Sequence, residues 1–136
     1  MVDGIDRVAD GWDVRSMRGV GVSEVAVGTV LRLHVGSDGI EVHSAAELTA
    51  GGGETYKVHA LARINPGKAT QLLDKVVTEV HVADSGVLRV RFAQGWQLIV
   101  PVATDALGWV VAVRGRYCLR SEPGGGVRTS DRRGAS

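Results

Sequence analysis

Cysteine and aromatic residues are scarce in this chain of 136 residues. Cys118 is the only cysteine, so the chain cannot form an intramolecular disulfide and contains no cysteine-based zinc motif. Three Trp, two Tyr and one Phe are too few for a series of base-stacking platforms. The net charge of +1 also lacks the basic excess that is typical of nucleic-acid-binding modules. These shortages argue against a nucleic-acid function.

Long apolar runs are missing as well. The N-terminal stretch, MVDGIDRVADGWDV, contains early acidic residues and no run long enough for a signal peptide or a membrane span. We therefore expect a cytoplasmic protein that does not contact membranes. The length is typical of a single domain that buries its own core.

The clearest positive signal lies between residues 78 and 102, where apolar and polar residues alternate in three successive segments. This period of two predicts three strands that are each buried on one face. Pairing Phe92 with Trp96 across a short glycine-containing loop keeps every apolar side chain of the last two strands on the same face. The outer face of this meander then carries a row formed by Glu79, Arg91 and Gln97.

A similar pattern occurs upstream. Residues 23–27 match residues 78–82, residues 30–35 match residues 87–92, and residues 39–42 match residues 95–98. Agreement over three successive strands predicts an internal duplication. Pairing Val35 with Ile40 in this first copy gives an outer row formed by Glu24, His34 and Glu41.

The remaining segments complete a mainly β chain. We predict a loosely held arm over Met1–Asp10, a fourth strand over Thr55–Ile64, and a helix over Lys68–Leu73 that Asn65 caps and Pro66 begins. A last hairpin is predicted over residues 109–113 and 117–120.

The predicted fold class is mainly β. Two duplicated antiparallel meanders, about residues 20–64 and 75–120, pack as a small sandwich or a partly open barrel, with one short helix between them. They form one β-rich domain over residues 1–121, followed by a flexible C-terminal tail over residues 122–136. The free strand edges and the repeat favour a homodimer, because an isologous dimer would complete the pseudo-twofold relation.

Several packing and turn residues occur in a recognisable order, and they cover most of the chain: Trp12 with Gly19 and Val20, Gly28–Leu33, Pro66 with Leu72 and Leu73, Gly86–Phe92 with Gly95, and Trp109–Gly125. In these features the chain resembles a family of short actinobacterial proteins that is classed as a domain of unknown function. Members often carry a Glu and a small residue before the tryptophan, whereas Leu107 and Gly108 precede Trp109 here. The resemblance implies no activity, because the family has no established one.

The histidines invite a metal hypothesis, since the predicted outer row places His34 between Glu24 and Glu41 with His43 diagonal to it. A solvated ladder of charges explains the same residues more simply, because no His-x-His or His-x-x-x-His spacing is present. We therefore assign no metal ligand to His34, His43, His59 or His81.

Nucleophilic and phosphate-binding signals are also weak. Cys118 would be a candidate nucleophile only beside a histidine, and its position between Tyr117 and Leu119 is typical of a small core residue. The glycine triplets at 51–53 and 124–126 lack the strand-to-helix context of a phosphate loop. We predict no cofactor. Between an enzyme and a non-enzymatic protein, we favour the second.

Two functional hypotheses of different class follow. The first is a non-enzymatic interaction module of the immunity or adaptor type, because no acid, base and nucleophile converge in the sequence. Its candidate interface residues are Arg32, Arg89 and Arg91. With Arg114, Arg116 and Arg120 near the C-terminal hairpin they could form a cationic surface for an acidic protein or an anionic ligand, although such arginines also serve ordinary solubility. The alternative is a small-molecule-binding or enzymatic β-barrel with a groove between the two meanders. Candidates for lining that groove are His34, Glu41, Trp96 and Trp109.

Overall fold

The computed structural model describes residues 4–114 and 117–131. In chain order the strands are β1 (Ile5–Val8), β2 (Gly11–Val14), β3 (Val22–Val27), β4 (Leu31–Val35), β5 (Asp38–Val42), β6 (Ala46–Thr49), β7 (Thr55–Val58), β8 (Val77–Ala83), β9 (Leu88–Phe92), β10 (Gln97–Val100), β11 (Trp109–Val113), β12 (Tyr117–Ser121) and β13 (Val127–Asp131). Helix α1 spans Pro66–Ala69, and short 3-10 turns cover Arg15–Met17, Thr70–Leu72 and Ala93–Gly95.

The strands form two open antiparallel sheets. The seven-stranded sheet has the order β1-β2-β8-β9-β10-β6-β7, and the six-stranded sheet has the order β13-β12-β11-β5-β4-β3. One cluster of buried side chains, with members from both sheets, fills the space between them. The predicted mainly β fold is therefore confirmed as a two-sheet arrangement, and neither sheet closes into a barrel.

Both predicted meanders are present, as β3–β4–β5 and β8–β9–β10. In the second meander Val90 lies opposite Leu98, and Arg91 lies between Glu79 and Gln97, so the predicted register and outer row are confirmed. Each meander also has an irregularity in the same place, between Val22 and Glu24 and between Val77 and Glu79. This shared detail supports the internal duplication.

The predicted register of the third strand in the first meander is wrong. Val35 lies opposite Asp38, not opposite Ile40, because a tight turn through Gly36, whose φ is +63°, joins β4 to β5. As a result Glu41 pairs with Arg32 and Gly39 pairs with His34. The expected row of Glu24, His34 and Glu41 therefore does not form.

The two halves of the chain exchange strands. After β5 the chain leaves the six-stranded sheet, and β6 and β7 extend the other sheet by pairing β6 with β10. After β10 the chain makes the reciprocal move, and β11 pairs with β5. The segment predicted to continue the first meander up to residue 64 thus belongs to the opposite sheet, where its strand ends at Val58. Each sheet is therefore built from strands of both halves.

Both ends of the chain are more ordered than the sequence indicated. Ile5–Val8, predicted as part of a loose arm, pairs with β2, because Ile5 is buried and Arg7 binds Asp84 at 2.6 Å. Val127–Asp131, predicted as part of the flexible tail, pairs along its length with β12. Residues 132–136 of the predicted tail, and Gly115–Arg116 of the last hairpin, lie outside the described residues.

The helix between the meanders is shorter than predicted. Pro66 is its first residue, as expected, but the α-helical turn ends at Ala69 and continues only as a 3-10 turn. Asn65 has left-handed backbone angles, and its side-chain amide donates a hydrogen bond to the carbonyl of Lys57 at 2.8 Å rather than capping the helix.

Trp109 joins the two sheets at the centre of the molecule. It begins β11, its side chain is 0% exposed, and its indole N–H donates to the Gly86 carbonyl in the β8–β9 turn at 2.8 Å. The hydroxyl oxygen of Ser121, also buried, accepts the backbone N–H groups of Gly108 and Trp109 at 2.7 and 3.1 Å. Every polar group of this contact is therefore satisfied in the core.

We expect Trp109→Phe to lower the free energy of unfolding by roughly 2 kcal/mol or more, because it leaves a cavity and an unsatisfied Gly86 carbonyl. Trp96→Phe is the matched control, since Trp96 is only partly buried. Urea denaturation of both variants measures the difference. Equal losses in the two variants would contradict this role for Trp109.

Candidate functional site

The outer face of the six-stranded sheet is built from two adjacent rows of side chains. The strand register gives one row as Ala26, Arg32, Glu41, Val110, Arg120 and Arg128, and the next as Glu24, His34, Gly39, Ala112, Cys118 and Ser130. Apart from Glu41, the middle of both rows consists of small or apolar residues that are half-buried. We call this strip, formed by Gly39, Val110, Ala112 and Cys118, the central trough.

Two adjoining grooves of about 250 and 350 Å³ follow the central trough. Both include Glu41, Val110 and Ala112 in their lining. The first groove extends towards Arg32 and His34, and the second extends towards four further residues, His43, Leu107, Cys118 and Arg120. The site is thus an elongated depression with an apolar floor and polar ends.

Glu41 is the acidic centre of this face. One carboxylate oxygen lies 2.9 Å from Nε2 of His43, and the other accepts a hydrogen bond from Nε of Arg32 at 3.3 Å. Burial alone would raise the pKa of the Glu41 carboxyl, but these two hydrogen bonds and the nearby charges together lower it below its ordinary value. Glu41 therefore stays ionised and holds both bases in place.

Arg120 differs from the other arginines of this face. Arg32 is paired with Glu41, and Arg128 is paired with Glu122 at 2.8 Å. No side chain among residues 4–114 and 117–131 forms an ion pair or hydrogen bond with Arg120, although it lines the larger groove. Its guanidinium can therefore bind an anionic group that enters this groove.

The outer face of the seven-stranded sheet has a different character. Its charges are matched to one another, with His81 3.0 Å from Asp13 and with Arg89 and Arg91 at 3.1 and 3.7 Å from Glu79. Ile99, on β10, is a half-buried aliphatic residue within this charged surface. A ladder of this kind is typical of a solvated sheet face.

The structure separates the candidate residues of the sequence. His34 and Glu41 line the same groove on the six-stranded sheet. Trp96 lies in a different groove, beside Arg91 on the seven-stranded sheet, where Lys75 stacks over its ring at 4.8 Å. Trp109 is a core residue whose indole nitrogen is already bonded.

The three candidate interface arginines are likewise divided between the sheets. Arg32 lies on the outer face of the six-stranded sheet, whereas Arg89 and Arg91 lie on that of the seven-stranded sheet. All three have carboxylate partners within the fold. They therefore do not form one cationic surface.

The register places Cys118 away from His43 on this face. Cys118 is level with Gly39, while His43 directly follows the last residue of β5, four residues beyond Gly39, and β11 lies between β5 and β12. Typical strand spacings put the two side chains about 16 Å apart. In the part of the chain that the structure describes, no three His, Cys, Asp or Glu residues could hold a metal ion together. No helix in that part is long and apolar enough to cross a membrane.

The sequence did not single out Val110 or Ala112, and it offered Arg120 only as part of a possible cationic surface. One signal was present, because residues 109–113 are apolar at every position, and such a strand has both faces at least partly buried. β11 pairs with β5, and the paired residues Trp109 and Val42 are 67 positions apart in the sequence (109 − 42). Such a distant pairing is not readable from local patterns.

The family model DUF6188, described as a family of unknown function, matches residues 13–131. This range includes both meanders, the exchanged strands and the whole outer face of the six-stranded sheet. Neither the curated proteins nor the solved structures gave a significant match.

We expect Glu41→Gln to reduce stability modestly at neutral pH, by about 0.5 kcal/mol or less, because its partners are partly exposed. The pKa of Glu41 is lowered in the folded state, so its contribution is fully present above the ordinary value of 4.5 and disappears as the pH falls through the lower folded value. Urea denaturation of wild type and variant between pH 7 and pH 2.5 checks this. A stability difference that grows on acidification would contradict it.

Proposed function

The chain belongs to the DUF6188 family, and from this fold we propose that it is a non-enzymatic binding module that uses the outer face of the six-stranded sheet. The partner is a protein that presents an apolar side chain beside a carboxylate. An immunity or adaptor role, a cytoplasmic location and the actinobacterial range of the family belong to the same proposal.

The observation that carries the proposal is the central trough. Val110, Ala112 and Cys118 form a half-buried apolar strip on a surface that faces away from the core, and the charged residues lie around it. An apolar centre with a polar rim is the usual anatomy of a protein interface. The matched charges of the opposite sheet face lack this arrangement.

The charges at the rim support an acidic partner. Arg32 is neutralised by Glu41, whereas Arg120 has no partner among the described residues and stands at the end of the apolar strip. A guanidinium binds carboxylates with several donors at once, and arginine is enriched at interfaces. A partner with an aliphatic group in the trough and a carboxylate on Arg120 would satisfy both features.

The alternative function, a small-molecule or enzymatic site between the two meanders, draws less support. The buried side chains of both meanders fill the space between the sheets. The grooves on the outer face measure about 250 and 350 Å³, at or below the lower end of the usual range for ligand pockets. They fit the side chains of a protein partner better than an enclosed ligand.

We expect Val110→Glu to abolish binding of the partner, because it places a charge in the apolar strip and repels the partner's carboxylate. Ile99→Glu is the matched control, since Ile99 is also a half-buried aliphatic residue on an outer face, but on the other sheet. Tagged wild type and both variants are used to capture proteins from lysate of the source cells, with quantitative mass spectrometry as the readout.

The proposal predicts an acidic protein that wild type and Ile99→Glu retain and Val110→Glu loses. Identical recovery with Val110→Glu, or selective loss with Ile99→Glu, would contradict it. Recovery of a small molecule instead of a protein would favour the alternative.

A further inference from the structure

We propose that the chain forms a homodimer by pairing the free edge of β3 with β3 of a second copy. The observation behind this proposal is an asymmetry between the two meanders. In the second meander the edge of β8 is covered by β2, with Trp12 opposite Val82 and Gly11 opposite Ala83. The equivalent edge in the first meander is that of β3, which ends the six-stranded sheet.

The first part of the β3 edge is covered by backbone hydrogen bonds, and helix α1 and the 3-10 turn at Thr70–Leu72 also lie near this strand. Val22 donates its N–H to the Lys75 carbonyl at 2.9 Å and accepts the Asp74 N–H at 2.9 Å. Beyond this point the ladder with β4 alternates. In an antiparallel ladder every second residue bonds to the neighbouring strand. The Gly28 N–H bonds to the Val30 carbonyl, so Ala26 and Glu24, two and four residues earlier, are the residues of β3 that bond to β4. The N–H and C=O groups of Val25 and Val27 therefore point away from the sheet.

The other three sheet edges carry charged residues that discourage pairing with another chain. These are Asp6 and Arg7 on β1, Lys57 on β7, and Arg128 and Asp131 on β13. The Val25–Val27 segment has none, and its three residues are apolar. Natural edge strands are commonly protected by charges, proline or bulges. On β3 these features, the charge of Glu24 and the irregularity between Val22 and Glu24, lie before this segment, so residues 25–27 are suited to pairing.

The segment is also complementary to itself. An antiparallel pairing centred on Ala26 puts Ala26 opposite Ala26 of the second copy, Val25 opposite Val27, and Glu24 opposite Gly28. No like charges meet, and Gly28 leaves room, since a side-chain carbon there would meet no atom within 4 Å. Val25 and Val27 of each copy exchange backbone hydrogen bonds, and their side chains continue the apolar layer formed with Leu33 and Leu31.

This dimer would join two six-stranded sheets into one. Because the two-fold axis is perpendicular to the sheet, both outer faces point to the same side, and two central troughs become available to one partner. The dimer does not depend on the proposed binding function, and each can fail without the other.

The test uses the residue on the two-fold axis. Ala26→Lys and Ala26→Glu each place like charges opposite one another across the axis, whereas a mixture of the two variants places opposite charges there. Sedimentation equilibrium is measured for wild type, each variant and the mixture, with Thr55→Lys on the edge strand β7 as the control.

We expect wild type and Thr55→Lys to dimerise, each Ala26 variant alone to dimerise several-fold more weakly, and the mixture to recover dimers. A monomeric wild type at all concentrations would overturn the proposal. So would variants that dimerise like wild type, or a mixture that shows no recovery.

A second measurement avoids dependence on the stability of the variants. In wild type the Val25 and Val27 amides should exchange with solvent several-fold more slowly at high protein concentration than at low concentration, because only the dimer bonds them. Exchange rates that do not depend on concentration would also overturn the proposal.

Discussion

The reciprocal pairing of β5 with β11 and of β6 with β10 is the constraint on which the rest of the structure depends. Each three-stranded meander is completed by a hairpin that the other half of the chain provides. A three-stranded meander alone would leave its apolar face and both of its edges unsatisfied. The exchange buries the apolar faces of both meanders in one core. At the start of β11, Trp109 joins the two sheets through its hydrogen bond to the Gly86 carbonyl.

The same exchange creates the candidate site. The central trough takes Gly39 from the first half and Val110, Ala112 and Cys118 from the second half. No local segment contains the site, and it exists only after the two halves have paired. The two outer faces have also diverged, since one carries matched ion pairs and the other carries an apolar strip beside Arg120, which has no ion-pair partner among residues 4–114 and 117–131. The two meanders have the same arrangement of strands, so this difference between their outer faces is the reason for assigning binding to the six-stranded sheet.

The sequence predicted the local β-structure well, for a clear physical reason. Alternation of apolar and polar residues sets both the strands and the register of β8–β10, and Phe92 opposite Trp96 followed from keeping one face apolar. The β4–β5 register was missed because it depends on the length of the Gly36 turn. The strand exchange was missed because pairing between distant strands leaves no periodic pattern in either segment.

The candidate site was predicted only in part for the same reason. His34 and Glu41 were identified from their charges, and both lie on the proposed face. Trp109 was selected for its size, and burial made it a core residue. Val110 was not identified, and Arg120 was expected only as part of a cationic surface. Both gained their place in the site from neighbours that β5 and β11 bring together. Their importance is a property of the paired sheet and not of the local sequence.

The interdependence of the two halves can be measured most directly by native-state hydrogen exchange at increasing concentrations of denaturant. Because neither half can complete its sheet alone, the amides of β5 and β11 should open with the same free energy as those of β6 and β10, and that value should equal the free energy of global unfolding. If the amides of one meander and its exchanged hairpin opened at a clearly lower free energy than the rest, the account of two mutually dependent halves would be contradicted.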